Sequence, residues 1–176
     1  MNNIDQIIND LTLEEKVSLL SGFNSWYTNK IERISIPSIK MSDGPNGVRG
    51  DSNSGKSSAC FPCAISIGSS WDLDQVKKIG VALGEEAQAK NVDVLLGPTI
   101  NIHRHPLGGR HFESFSEDPF LTGKIASNYV QGVQSQNVAA CLKHFVGNDT
   151  EFERHSISSN IDERTLLSLI HISEPT

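Results

Sequence analysis

The sequence predicts an α/β fold, and three observations support this prediction. Apolar segments of about five residues alternate with amphipathic segments of about ten to twenty residues. Strands separated by helices of that length form right-handed βαβ units, which build a parallel sheet. Polar residues gather directly after the strands, at the edge where α/β proteins bind ligands. These observations are compatible with both a (β/α)8 barrel and an open doubly wound sheet.

The first predicted elements are a helix and a short strand. Apolar residues at helical spacing predict a helix over residues 4–20. A capping box that begins at Thr12 indicates that the helix restarts there. After an irregular stretch, a strand is predicted over residues 39–42, followed by a long loop over residues 43–63 that is rich in Gly, Ser and Asn. Loops of this length inside a domain are uncommon and often functional.

Strands and helices alternate in the second half. The predicted elements are helices over residues 72–90 and 120–136, strands over residues 92–96 and 138–142, and a last helix that begins near Asp162. Glu117 and Asp118 immediately precede the second of these helices, where acidic side chains favour the helix dipole. We therefore predict a structural role for both residues.

Composition excludes several classes of partner. The formal net charge is −6, and no cluster of Lys and Arg marks a nucleic-acid-binding surface. No apolar run reaches the roughly 18 residues of a membrane helix, and the N-terminus does not resemble a signal peptide, so we expect no membrane partner and a cytoplasmic location. No cofactor motif is present, and the sequence does not indicate an oligomeric state. Three cysteines, including the pair Cys60 and Cys63, are expected to be unpaired thiols in loop and core.

The first cluster of candidate site residues follows the first strand. Asp43 lies where that strand ends, and Arg49 comes six positions later in a Gly- and Pro-containing loop. An ionised carboxylate accepts several hydrogen bonds at once, which suits neighbouring hydroxyl groups of a sugar. The alternative is an Asp that caps its own turn beside a solvated Arg.

The second cluster is the loop over residues 97–118. Its acidic residue Glu113 is a candidate acid/base group. His103 and His105 have the spacing of a metal-binding pair, but no further ligand is implied, so we expect polar loop residues and no metal.

The third cluster is Lys143 and His144, at the end of the strand over residues 138–142. Neighbouring residues on a regular strand point to opposite faces, so the backbone must leave strand geometry if both side chains serve one site. The alternative is a strand end that reaches water. Together the three clusters offer donors and acceptors of both charges, which suits a neutral polyhydroxylated ligand better than a phosphate or a dinucleotide.

Several long motifs occur in a fixed order along the chain. They are Ser-Asp-Gly-Pro-Asn-Gly-Val-Arg-Gly from Ser42, Gly-Pro-Thr-Ile-Asn-Ile from Gly97, Pro-Leu-Gly-Gly-Arg from Pro106, Phe-Glu-Ser-Phe-Ser-Glu-Asp-Pro from Phe112, Lys-His-Phe from Lys143 and Asp-Glu-Arg from Asp162. On these motifs the chain resembles glycoside hydrolase family 3, close to its β-glucosidases, over about residues 11–166. The resemblance implies the first part of a (β/α)8 TIM-like barrel, incomplete because 176 residues fall short of the roughly 250 that a whole barrel needs.

The resemblance also implies a sugar site. The residues that would bind the glucosyl unit in subsite −1 are Asp43, Arg49, Arg110, Lys143, His144 and Arg154. Asp43 would hold hydroxyls on the far side of the ring from the scissile bond, whereas Lys143 and His144 would donate to hydroxyls nearer the reacting carbon.

The implied activity is hydrolysis of terminal non-reducing β-D-glucosyl residues with retention, on a β-glucoside or cello-oligosaccharide. The family's nucleophile is an Asp in a Ser-Asp-Trp motif, which does not occur here, and its acid/base belongs to a second domain. We therefore expect no catalytic residue in this chain, and no turnover by it alone. Alternatives are a β-xylosidase or exoglucanase of the same family, a non-catalytic sugar-binding protein, or an open-sheet enzyme that uses Lys143 or Glu113.

The last ten residues, 167–176, do not follow the family pattern. They resemble translated sequencing-adapter DNA, so we expect the domain to comprise residues 1–166 and the tail to be artefactual.

Overall fold

The computed structural model describes residues 4–50 and 56–170 of the chain. Three short strands, β1 (Met41–Asp43), β2 (Val94–Leu96) and β3 (Ala139–Ala140), form a parallel sheet in the order β1-β2-β3. The helices are α1 (Ile4–Asp10), α2 (Leu13–Leu19), α3 (Ala64–Ser69), α4 (Leu73–Ala89), α5 (Pro119–Gln134) and α6 (Glu163–Thr165). Short 3-10 segments cover Glu32–Ile34 and His111–Glu113, and a π-helical turn covers Leu166–Ile170. The α/β prediction is therefore confirmed.

The strand register brings the carboxyl ends of the strands to one edge. Asp43 pairs with Leu96 at the ends of β1 and β2, and Leu95 pairs with Ala140 of β3. Since all three strands run in the same direction, the loops that follow them meet at this edge. The clustering of polar residues that the sequence predicted after the strands is thus a spatial cluster as well.

The core lies where α4 and α5 pack on the sheet. Their buried faces include Val76, Leu83, Ile125 and Tyr129, and Leu95 of β2 is fully enclosed between them and the loops. The two helices approach closely at glycines: a Cβ added at Gly132 would lie 2.3 Å from the carbonyl oxygen of Lys77 and 2.8 Å from Gly80 Cα. The absence of side chains at this crossing lets the two backbones touch.

Helix boundaries follow the local signals in the sequence. Thr12 caps α2, and its Oγ1 accepts from the Glu15 N–H while Glu15 Oε2 accepts from the Thr12 N–H, so the predicted restart is confirmed. Asp118 accepts from the first N–H groups of α5, and Asp162 caps α6. The structural role predicted for Asp118 is confirmed.

The structure differs from the sequence analysis in three respects. Neither α1 nor α2 has a buried residue, although both carry the apolar spacing of a core helix; Leu11 between them is buried. Helix α3 was not predicted, because its six residues are too few to show a helical period. Cys141, expected in the core, is exposed. The three cysteines are unpaired, and within the described residues no helix is long and apolar enough to cross a membrane.

Candidate functional site

Asp43, at the carboxyl end of β1, contacts two cationic side chains. Its Oδ1 accepts a hydrogen bond of 2.6 Å from Lys143 Nζ, and its Oδ2 lies 3.5 Å from Arg49 Nη1. Burial by itself raises the pKa of Asp43, but Lys143, the Gly44 N–H and Arg49 together hold it below the ordinary 3.8. The carboxylate is therefore ionised at neutral pH and is flanked by two cations that carry further donors.

The loop that follows Asp43 is fixed by two charged residues of α4. The Val48 N–H donates to Glu86 Oε2 at 2.9 Å, and the Val48 carbonyl accepts from Lys90 Nζ at 2.5 Å. Lys90 also donates to Ser58 Oγ at 2.6 Å and pairs with Glu86 at 3.1 Å. Lysine is almost never fully buried unless it is paired, and here the Lys90 side chain is only 4% exposed. The pair thus binds both polar backbone groups of the residue that precedes Arg49.

Helix α5 fixes the start of the same loop. The buried hydroxyl of Tyr129 donates to the Pro45 carbonyl at 2.8 Å. Burial raises the pKa of this phenol, so it remains a donor. Gly44 supports the turn with φ of 123°, a value that favours glycine.

His144 is held by Asn101, which follows β2. His144 Nδ1 lies 2.9 Å from Asn101 Oδ1, and the backbone N–H and carbonyl of His144 also bond to the Asn101 amide. Strand β3 already ends at Ala140, and the Lys143–His144 peptide bond is cis. Lys143 nevertheless still pairs with Thr99 in an isolated parallel bridge, so the chain stays beside the segment that follows β2 up to the residue before His144.

Arg110 and Arg154 meet around Glu151. Arg110 Nε bonds to Glu113 and lies 3.4 Å from Glu151 Oε1, and Arg154 Nη1 donates to Glu151 Oε2 at 3.0 Å. Glu113 is buried and lies within 3.5 Å of Thr99 Oγ1. Glu113, considered above as an acid/base group, is thus engaged with Arg110 and orients it.

Arg104 and Asp149 form a further ion pair in the loops that follow the strands. Arg104 Nη2 donates to the buried Asp149 at 2.7 Å and to Ser159. The rings of His103 and His111 stack with centroids 4.7 Å apart. Burial, followed by the charge of His103, lowers the pKa of His111. Within residues 4–50 and 56–170, no group of three or more His, Cys, Asp or Glu side chains has the arrangement of a metal site.

The six predicted sugar-binding residues therefore form three adjoining groups. Arg49 and Lys143 both contact Asp43, and Arg110 and Arg154 share Glu151. His144 is held by Asn101, and the charges of Arg110, Lys143 and Asp43 act on its pKa. A cavity of about 170 Å³ opens beside His144, lined also by Asn101, Arg104, Asp149 and Ile170.

Sequence reasoning missed the residues that support these side chains. Glu86, Lys90 and Tyr129 lie in the predicted helices, and Asn101 lies in the family motif that begins at Gly97, where no role was predicted for it. Helical spacing placed Glu86 and Lys90 one turn apart, but their contact with Val48 depends on the fold. Asn101 gave a usable signal: it is a polar residue shortly after a buried strand.

An α/β chain with a carboxylate, two cations and a histidine at the carboxyl ends of parallel strands has the features of a sugar-binding domain of a glycoside hydrolase. The chain belongs to glycosyl hydrolase family 3: residues 1–169 match the family's N-terminal domain.

Named relatives and a solved structure are similar to this chain over nearly its whole length. It is 55% identical over 165 residues to a β-glucosidase of Rhizobium radiobacter, covering 93% of this chain and 20% of the relative. It is 48% identical to the thermostable β-glucosidase B of Acetivibrio thermocellus, covering 97% of this chain and 24% of the relative. The structure of a Kluyveromyces marxianus β-glucosidase in complex with glucose matches with a TM-score of 0.91 and 45% identity, over 97% of this chain and 21% of that one. The chain spans about a fifth of the length of the curated relatives that it matches.

Proposed function

We propose that the chain is the N-terminal part of a retaining β-glucosidase and supplies the glucose-binding −1 subsite. The observation that carries this proposal is the ionised Asp43, held at the end of β1 by Lys143 and flanked by Arg49. A carboxylate between two cations can accept from neighbouring sugar hydroxyls while the cations donate to others. The named relatives are β-glucosidases, which supports glucose as the sugar.

The remaining predicted residues complete the subsite in this proposal. In this proposal, a pyranose ring that contacts Asp43 is bound by His144, Arg110 and Arg154 at its other hydroxyls, which is supported by the influence of the Arg110 and Asp43 charges on the pKa of His144 and by the shared partner Glu151 of the two arginines. The natural ligand is a β-glucoside or cello-oligosaccharide, of which this chain binds the non-reducing glucosyl unit.

We also propose that the sheet is the first part of a (β/α)8 barrel, formed by residues 1–166. The sequential parallel order β1-β2-β3, with a helix between successive strands, supports this arrangement. Residues 167–170 extend the helical turn after α6, and Ile170 is buried; residues 171–176 lie outside the described part of the chain. The proposal that residues 167–176 are artefactual rests on their sequence.

Glucose titration of the chain, followed by NMR, tests the subsite. At roughly 0.3 kcal/mol per non-hydrogen atom, a molecule of this size binds with a Kd of about 2 mM. Asp43→Asn should weaken binding roughly tenfold to a hundredfold, because hydrogen bonds to a charged group are lost. Asp74→Asn, at an exposed position in the first turn of α4, is the matched control and should leave the Kd unchanged.

Unchanged glucose affinity in Asp43→Asn would refute the subsite. Equal affinity for xylose would favour a β-xylosidase. Because no Ser-Asp-Trp occurs in the sequence, the chain alone should not hydrolyse an aryl β-glucoside. Hydrolysis that disappears when one of its own carboxylates is changed would show that the nucleophile lies within these residues.

A further inference from the structure

Asn101 makes three contacts with a single residue, His144. Its Nδ2 donates to the His144 carbonyl at 3.2 Å, and its Oδ1 accepts from the His144 N–H at 3.3 Å. The same Oδ1 lies 2.9 Å from the ring nitrogen Nδ1. Asn101 is buried, so these contacts are shielded from water.

The two backbone contacts determine which way the amide faces. A backbone N–H can only donate and a backbone carbonyl can only accept. If the Asn101 amide were turned over, its NH2 group would face the His144 N–H and its oxygen would face the His144 carbonyl, and both contacts would become repulsive. Oδ1 therefore faces the ring. Since Oδ1 is an acceptor, Nδ1 of His144 must carry the proton.

The charge state of His144 then determines what its other nitrogen does. Burial lowers the pKa of His144 below the ordinary 6.5, and the charges of Arg110 and Lys143 lower it further, against the opposing effect of Glu113 and Asp43. The ring is thus neutral at pH 7. A neutral ring with its proton on Nδ1 has a bare Nε2, which accepts hydrogen bonds.

We propose that Asn101 is a positioning residue that holds His144 in the Nδ1–H tautomer, so that Nε2 accepts a hydrogen bond from a sugar hydroxyl. This rests on the proposed function of the site. The family resemblance suggests a donating histidine, so the proposal reverses its role. Lys143 can only donate, whereas His144 accepts, so the two neighbouring residues select hydroxyls in opposite senses. A substituent that cannot donate is therefore selected against at one position of the ring.

The tautomer is measured directly on the unsubstituted chain. Two-bond ¹H–¹⁵N NMR correlations at pH 7 distinguish the protonated from the bare ring nitrogen. We expect Nδ1 of His144 to be protonated and Nε2 to be bare. The exposed His155 serves as an internal reference for a ring that exchanges between its two tautomers. A proton on Nε2 of His144 would overturn the proposal, and no substitution is needed to see it.

The sugar contact is tested with Asn101→Asp, which keeps the size of the side chain. A carboxylate beside Nδ1 favours a charged ring, so Nε2 becomes a donor. Among 2-, 3-, 4- and 6-deoxyfluoroglucose, at least one should bind the unsubstituted chain about tenfold more weakly than glucose, because fluorine cannot donate. In Asn101→Asp that difference should shrink to about threefold or less. Asn128→Ala, at a half-buried asparagine of α5, is the control and should keep the tenfold difference.

Each outcome separates the two proposals. A deoxyfluoroglucose whose fluorine faces Asp43 should bind more weakly than glucose by the same factor in the unsubstituted chain and in Asn101→Asp. If every weakly binding analogue shows the same factor in both proteins, His144 is not the acceptor. If the tautomer is Nδ1–H but glucose does not bind, the proposed subsite fails and the sugar contact fails with it, while the assignment of the proton stands.

Discussion

The two walls of the site are held by different interactions. The first wall, residues 43–50, is attached to the core: Glu86 and Lys90 bind the backbone of Val48, and Tyr129 binds that of Pro45. These partners lie on α4 and α5, whose contact forms the centre of the domain.

The second wall, residues 145–160, is held by charged side chains. Asp149 pairs with Arg104, and Glu151 pairs with Arg110 and Arg154. The Asp149 carboxylate is buried, but the side chains of Glu151 and Arg154 are 36% and 53% exposed. Ion pairs at partly exposed positions contribute little stability and are screened by salt, unlike buried hydrogen bonds to a backbone. The first wall therefore takes its position from the packing of the fold, whereas the part of the second wall around Glu151 depends on interactions that salt can weaken.

The largest effect should come from separating α4 and α5. Gly132→Val places atoms where the helix backbones touch, so the helices must move apart; we expect a loss of about 3 kcal/mol of unfolding free energy. Glucose affinity should fall too, because Tyr129 moves away from Pro45. Chemical denaturation measures the first effect and NMR titration the second. Gly123→Ala, elsewhere on α5, should instead stabilise by up to about 1 kcal/mol. Equal stability of both variants would mean that the crossing is not close.

A medium effect should follow from removing the carboxylate that fixes Val48. Glu86→Gln loses charged hydrogen bonds to the Val48 and Ala59 N–H groups and leaves the buried Lys90 without its ion pair, at about 2 kcal/mol. Glu85→Gln, at the exposed neighbouring position, should change stability by less than about 0.5 kcal/mol. Denaturation at pH 7 measures both.

The same pair of variants has a pH signature. Burial raises the pKa of Glu86, but the N–H groups of Ala59 and Val48 and the charge of Lys90 outweigh it, so the pKa lies below 4.5. A depressed pKa contributes stability that is present above the unfolded value and is lost as pH falls through the folded value. Denaturation between pH 6 and about 3 should therefore show a smaller decline in Glu86→Gln than in the unsubstituted chain. Parallel curves would contradict the assigned hydrogen bonds.

The smallest effect on stability is expected in the second wall. Arg154 is 53% exposed, so Arg154→Ala should cost at most about 0.5 kcal/mol, and 1 M salt should remove most of that difference. Its glucose affinity should nevertheless fall, if Arg154 contacts the sugar as proposed. Arg164→Ala, at an exposed position of α6, should leave affinity unchanged. A large loss of stability in Arg154→Ala that salt does not change would contradict the conclusion that the two walls are held by different interactions.

The sequence predicted elements better than contacts. The caps at Thr12 and Asp118 are local hydrogen bonds between residues at most three positions apart, so their signals lie within a few letters. The three strands were found at the short runs over residues 39–42, 92–96 and 138–142, although their ends differ from the predicted ones by up to two residues. The apolar spacing of α1 and α2 was equally clear, yet those helices are exposed, because spacing does not reveal what an apolar face will contact.

The candidate site shows the same limit. Asp43, Lys143 and His144 could be picked out because polar residues at strand ends stand out against apolar runs. Asn101 also follows a strand and could have been noticed, whereas Glu86 lies within a helix; the contacts of both could not be predicted, because their partners lie 43 and 38 residues away in the chain. The direction of a hydrogen bond, as at His144, depends on the full set of neighbours and is therefore a property of the fold.

The contact between Asp43 and Lys143 spans 100 residues of chain. At about 5–20 residues per second of synthesis, the aspartate leaves the ribosome roughly 5–20 s before its lysine partner. The loop after β1 can be fixed by α4 during that interval, but the charge pair can form only after β3 has docked. During synthesis, therefore, the carboxylate of this site waits for its lysine partner until the third strand has been made.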